Sequence, residues 1–228
     1  MKNGLLLELR SELINLADPK KAPQMQSYMK SAMPYHGVPS PILKKLCKEI
    51  FRDLKFPHFQ SWEKQVMGLW RNAKFREERY ASLQLCGHKI SQDFQTLEAM
   101  KLFEEMIVSG AWWDYVDDIA SHKVGNILDL YPKPMKKKML KWSHSSDLWK
   151  KRTSIICQLG FGHKTDLDLM YACIEPSLSS DEFFLRKAVG WALRQYAWTD
   201  PKEVKRYVKK NEERLSPLSR REALKNIL

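Results

Sequence analysis

The chain has 228 residues, 43% of them apolar and 29% charged, which excludes a disordered chain and leaves room for one or two domains with a sizeable core. Lysine and arginine number 39 against 27 acids, and the net charge of +12 points to a polyanionic partner, either nucleic acid or an anionic membrane surface. No apolar run approaches a bilayer span, and the N-terminus lacks the basic, apolar, small-residue order of a signal peptide. Cys47, Cys86, Cys157 and Cys173 form no CxxC pair and no zinc spacing, and the six histidines are equally scattered. The cysteines are therefore expected as small buried hydrophobes in a reducing, cytoplasmic compartment, with no metal and no cofactor.

Turn residues divide the chain into helical segments. Breaks fall at Asp18-Pro19, Gly37 to Pro41, Phe56-Pro57, Tyr131 to Pro134, Gly160 to Gly162 and Asp200-Pro201, and the intervening stretches carry apolar residues at helical spacing. Ser61, Ser146, Asp181 and Ser216 are the expected N-caps, and Ser216-Pro217 puts proline at the first helical position, where its missing N–H costs nothing. Glycine is sparse, sustained alternation is absent and no linker interrupts the chain. The expectation is an all-α protein, a single α-solenoid domain over residues 1–228. Internal repetition supports it. Leu148-Trp149-Lys150-Lys151-Arg152 superimposes on Phe183-Phe184-Leu185-Arg186-Lys187 at an offset of 35, and the same offset takes Arg152 back to Asp117. A step of 38 takes Asp117 on to Arg79. Two helices per period of about 35 to 40 residues is the pattern of stacked HEAT-like repeats.

Three helices carry residues that need explaining. In the segment 111–120, Trp112, Val116, Ile119, Ala120 and Ile127 form the core stripe, Asp114 and Asp118 fall on the solvent side, and Asp117 sits at the stripe's edge one turn after Trp113. Asp117 is either an ordinary surface acid or a carboxylate held against an aromatic wall, where its charge acts through low dielectric. On the helix from about Asp181 to Ala197, Trp191 lies off the apolar stripe between Lys187 and Arg194. That arrangement fits either cation–π packing or an indole flanked by two phosphate contacts. On the helix from about Ser146 to Gly160, Arg152 projects into the apolar stripe and must meet an anion. A salt bridge between neighbouring repeats, to Asp117 itself, and a phosphate contact both satisfy it. The runs 136–138, 150–152, 209–210 and 220–221 add a backbone-tracking electrostatic footprint.

These segments resemble the AlkD family of bacterial DNA alkylpurine glycosylases. The resemblance rests on Ser109-Gly110-Ala111-Trp112-Trp113-Asp114-Tyr115-Val116-Asp117 and on the stretch from Glu182 to Tyr196. Ser27-Tyr28-Met29-Lys30 and the stretch from Leu215 to Ala223 add to it, in the same order over nearly the whole chain. It implies HEAT-like repeats with a concave basic surface for duplex DNA, a monomer in the bacterial cytoplasm associated with the nucleoid. The implied activity is removal of purines alkylated at ring nitrogen 3 or 7, leaving an abasic site, with no base flipping and tolerance of bulky adducts. By motif position it makes Asp117 the catalytic carboxylate, places Trp113 and Trp191 against the lesion's deoxyribose, and makes Arg152 a DNA contact. Tyr28 matches a family tyrosine near the lesion, and Lys187, Arg194, Ser40 and Arg220 complete the expected DNA-binding set. The loop from Gly37 to Pro41 carries proline where the best-known relative has glutamine.

The chemistry agrees with those residues. A purine alkylated at these positions is a cation that leaves as a neutral base, so a strong general acid is not required. The sugar left behind is oxocarbenium-like and needs a carboxylate. The rival readings are a non-catalytic repeat protein that binds duplex or branched DNA and a protein-interaction solenoid. A β-lyase is disfavoured, since no lysine lies in the Trp112–Asp117 segment. Retention of Trp113, Asp117 and Trp191 together favours catalysis, because a carboxylate in a DNA groove costs affinity unless it has a task.

Overall fold

The turn residues translate into helix ends in the computed structural model, which describes residues 4–227. Among those residues there is no β-strand. Contacts gather into two compact units, 1–102 and 103–228.

The first unit contains α1 (Gly4–Asn15), α2 (Ala22–Met29), α3 (Ser40–Ile50), α4 (Phe59–Arg71) and α5 (Arg76–Gly87), followed by short 3-10 turns. Leu9 and Leu13 of α1, Trp62, Val66 and Trp70 of α4, and Ala81 and Leu85 of α5 are buried together with Phe51. Two buried acids tie this unit internally. Glu78 takes Arg10 bidentately at 2.8 and 3.0 Å. Glu77 accepts the backbone N–H groups of His36, Gly37 and Val38 at 3.1, 2.9 and 3.1 Å, which fixes the loop leading into α3. Gly37 is required there: its φ is +87°, and a Cβ would lie 2.2 Å from the Asp18 carbonyl oxygen.

The second unit contains all but the first three residues of α6 (Met100–Gly110), then α7 (Trp113–Ile119), α8 (Gly125–Leu130), α9 (Pro132–Ser143), α10 (Leu148–Ile156), α11 (Leu167–Ile174), α12 (Phe183–Tyr196), α13 (Pro201–Lys210) and α14 (Pro217–Leu224). A π turn over Ala120–Val124 joins α7 to α8. Helices α7, α10, α12 and α14 pack each against the next, while α9 packs against α8, α10 and α11, and α13 against α12 and α14. Ile155, Ile156, Leu185, Ala188, Val189, Leu193, Val204 and Ala223 are among the residues that fill this unit's core. Polar links repeat at the spacing seen in the sequence: Asp129 to Lys164 and Asp117 to Arg152 are both 35 residues apart, Arg186 to Ser219 is 33 and Tyr171 to Glu203 is 32. Each joins a helix or its flanking turn to the equivalent element one repeat on, as stacked helical repeats do.

Capping departs from expectation at three of four positions. Ser216 caps α14, its Oγ accepting the Ser219 N–H at 3.0 Å. Ser61 instead sits at the third position of α4, in a reciprocal box with His58: its N–H donates to His58 Nδ1 at 3.2 Å. Asp147, not Ser146, caps α10, because its carboxylate accepts both the Trp149 and Lys150 N–H groups at 2.9 and 2.8 Å. Glu182, not Asp181, precedes α12, and its side chain makes no cap.

Candidate functional site

The helix row α7, α10, α12, α14 carries most of the residues singled out in the sequence. Ala111 turns the chain into α7 with φ +43°, a left-handed conformation that costs a residue with a Cβ about 1–2 kcal/mol. Trp112 follows in extended conformation, Trp113 begins the helix, and Asp117 stands one turn on.

Asp117 and Arg152 meet. Arg152 Nε donates to Asp117 Oδ1 at 2.7 Å and Nη2 to Oδ2 at 2.8 Å, a two-pronged charge-assisted pair. Arg152 Nη1 donates to the Phe184 carbonyl at 2.6 Å, so one arginine on α10 spans α7 and α12. The arginine side chain is 5% exposed and the aspartate 15%. Of the two partners open to Arg152, the structure therefore provides the acid. Three of its five N–H groups are used, and two remain for a further acceptor. Burial pushes the Asp117 carboxyl above its ordinary value, outweighing Arg152, and Asp114 adds to the rise. Ser121 Oγ donates to the Asp117 carbonyl at 2.6 Å, satisfying backbone where the α geometry gives way to the π turn.

Aromatic rings from the same helix row gather into a cluster. Trp112, Trp149 and Phe184 lie 5.0 to 6.2 Å apart between centroids, and Phe183 stands edge-on to Phe184 at 5.4 Å. Trp149 and Phe184 were legible only as apolar positions. Their gathering beside Arg152 follows from the 35-residue repeat, which puts Trp149 and Phe184 at corresponding positions of α10 and α12. Trp112, expected in the core, is only half-buried, and Trp113 and Trp191 are half-buried too.

The cations flanking Trp191 are already engaged. Lys187 Nζ lies 2.9 Å from Glu222 Oε1, and Arg194 Nη1 donates to Glu222 Oε2 at 2.7 Å. Arg220, also on α14, pairs with Glu212 at 3.0 Å. Asp118 departs from the solvent-facing position expected for it. It is half-buried, with His122 Nδ1 at 3.2 Å and Lys123 Nζ at 3.5 Å. The π turn adds a residue to the local repeat and carries Lys123 back beneath Asp118. Burial acts to raise the Asp118 carboxyl, but His122 and Lys123 outweigh it and the net shift is downward. In the first unit, Tyr28 ends α2 with 78% of its surface exposed, and Ser40 opens α3 on the surface. Among the described residues no group of three or more His, Cys, Asp or Glu side chains is arranged to hold a metal, and no helix is long and apolar enough to cross a membrane.

The comparisons with known proteins agree with an all-helical fold of stacked repeats. The family model described as DNA alkylation repair enzyme matches residues 9–227, and the chain belongs to that family. A solved structure described as "Predicted DNA alkylation repair enzyme from Enterococcus faecalis" is similar at 28% identity. It covers 92% of this chain and 96% of its own, with a TM-score of 0.84. No curated protein matched. A DNA repair function follows from family membership.

Proposed function

We propose that residues 1–228 form one monomeric DNA glycosylase domain that hydrolyses the N-glycosidic bond of purines alkylated at ring nitrogen 3 or 7 in duplex DNA. The observation that carries this reading is Asp117, a largely buried carboxylate held by a two-pronged arginine on a helix row that also carries an aromatic cluster. The bond from the sugar C1′ to the purine breaks with its electron pair going to the base, which neutralises the ring cation. The sugar becomes oxocarbenium-like, and the Asp117 carboxylate opposes the new charge across a poorly solvated gap. A water oxygen then bonds C1′ and its proton passes to solvent, with Asp117 orienting the water. The faces of Trp113 and Trp191 favour the sugar cation.

Arg152 serves two ends in this reading. It aims Asp117, and its two remaining N–H groups are assigned to a phosphate that would have to reach a side chain only 5% exposed. Lys187, Arg194 and Arg220 on the same helix row, and Tyr28 and Ser40 in the first unit, are assigned to DNA. Because the base is not enclosed, bulky adducts remain acceptable substrates and no strong general acid is required.

The test is release of free base from methylated duplex DNA with EDTA present, with strand integrity followed in parallel. Free base plus an intact strand carrying an abasic site supports a monofunctional, metal-independent glycosylase. The second reading, a non-catalytic DNA-binding repeat protein, has one observation in its favour: an acid fully paired with arginine is also what a purely structural role looks like. Salt-sensitive duplex binding without base release would establish it.

A further inference from the structure

The positions Asp117, Arg152 and Lys187 recur every 35 residues along the helix row, and one further step lands on Glu222 of α14. The first and second are ion-paired, and so are the third and fourth. Glu222 differs from Asp117 in holding two cations at once, Lys187 and Arg194, which lie seven residues apart on α12 with Trp191 between them. The helices touch at that point. A Cβ on Gly190 would lie 2.5 Å from Glu222 Cβ and 2.9 Å from the Ser219 carbonyl oxygen. Ser219 Oγ also donates to the Arg186 carbonyl at 3.0 Å. The contacts of α14 thus run along α12 at Arg186, Lys187, Gly190 and Arg194, and so bracket Trp191.

A carboxylate at such a place works against simple DNA affinity, since it neutralises two groups otherwise available to phosphates. We propose that Glu222 is a positioning residue for the reaction: it fixes Lys187 and Arg194 on either side of Trp191, ordering that wall of the site while restraining non-specific capture of DNA. This rests on the glycosylase reading above. Glu222 has 12% of its side chain exposed, and Lys187 and Arg194 have 36% and 24%, so the cations stay accessible to a phosphate while the carboxylate is shielded. Hydrogen bonding from Lys187, with the charges of Lys187, Arg194 and Lys225, holds the Glu222 carboxyl below the usual range against the opposing effect of burial. The side chain is therefore an anion throughout neutral pH.

Glu222→Gln keeps the shape and removes the charge. Freed from the carboxylate, Lys187 and Arg194 should steepen the dependence of undamaged-duplex affinity on salt by about 1 to 2 units of log–log slope. Single-turnover base release should slow by about 10- to 100-fold although substrate binds no more weakly, because the wall around Trp191 is no longer fixed. Glu222→Asp, which restores the charge on a shorter arm, should recover the wild-type salt slope. Melting temperatures are measured alongside. An unchanged slope and rate would overturn the proposal, and so would joint loss of melting temperature, affinity and rate, which would make Glu222 only part of the helix contact. If wild type binds duplex but releases no base, the glycosylase reading fails and the salt slope alone decides for or against Glu222. If wild type binds no duplex, both fail.

Discussion

Gly190 lies in the interior of α12, where alanine would ordinarily be preferred by about 1 kcal/mol. Its surroundings reverse that preference. A Cβ would meet Glu222 Cβ at 2.5 Å, the Ser219 carbonyl oxygen at 2.9 Å and Ser219 Cα at 3.2 Å, whereas carbon atoms pack best at about 3.5 to 4.0 Å. Two of these three atoms are backbone, so no side-chain rotation relieves the clash and α14 must retreat by about 1 Å. Overpacking of this kind costs about 1–3 kcal/mol, and three simultaneous contacts argue for the upper part of that range. After the gain in propensity, Gly190→Ala should lose about 1–2 kcal/mol, a fall of about 2–8 °C in Tm for a chain of this size. Gly68 in α4 is the control: nothing lies within 4 Å of its Cβ position, so Gly68→Ala should gain about 0.5–1 kcal/mol. Urea titrations and thermal melts followed by circular dichroism measure both. If Gly190→Ala stabilises the protein as Gly68→Ala does, the contact between α12 and α14 has been misread.

Three further outcomes follow from the buried acids. Arg152→Ala leaves a carboxylate that is 15% exposed facing no cation and should cost about 3 kcal/mol at neutral pH. Losing the arginine raises the Asp117 pKa further, so that cost is complete above the variant's pKa and fades as pH falls from there through the wild-type value. Melts across pH check this, and a penalty that grows in acid would contradict it. In the proposed reaction base release needs ionised Asp117, so its rate should decline with falling pH from above the ordinary carboxylate range, and an acid limb that persists in Asp117→Asn would assign it elsewhere. Glu77→Gln turns an amide NH₂ toward one of three backbone N–H donors and should cost about 1–3 kcal/mol, with faster hydrogen exchange at His36 to Val38. Unchanged exchange there would mean that Glu77 does not hold the loop.

Much of this was legible before any coordinates. Sparse glycine and helical spacing point to the all-α fold, and the 35-residue offset anticipates the repeat links but leaves Arg152 open between Asp117 and a phosphate. Local chemistry was harder to read. Ser146 and Asp147 are both good caps, and only the backbone path decides which oxygen meets the Trp149 and Lys150 N–H groups. Asp118 lies within α7, where 100° per residue holds, but the π turn that follows brings Lys123 against it and leaves it half-buried. In the sequence Lys187 and Arg194 fit either cation–π packing around Trp191 or phosphate contacts. Their engagement with Glu222 needs the repeat carried one step further, onto α14.

The most direct measurement is single-turnover base release from methylated duplex DNA by wild type and Asp117→Asn, with duplex affinity and Tm recorded for both. The account predicts release by the wild type, a rate about 100- to 1000-fold lower in the variant, and affinity unchanged or tighter because a negative charge has left the DNA-facing row. Release by the variant at the wild-type rate would contradict it, as would equal losses of rate, affinity and Tm, which would make Asp117 the structural partner of Arg152 and nothing more.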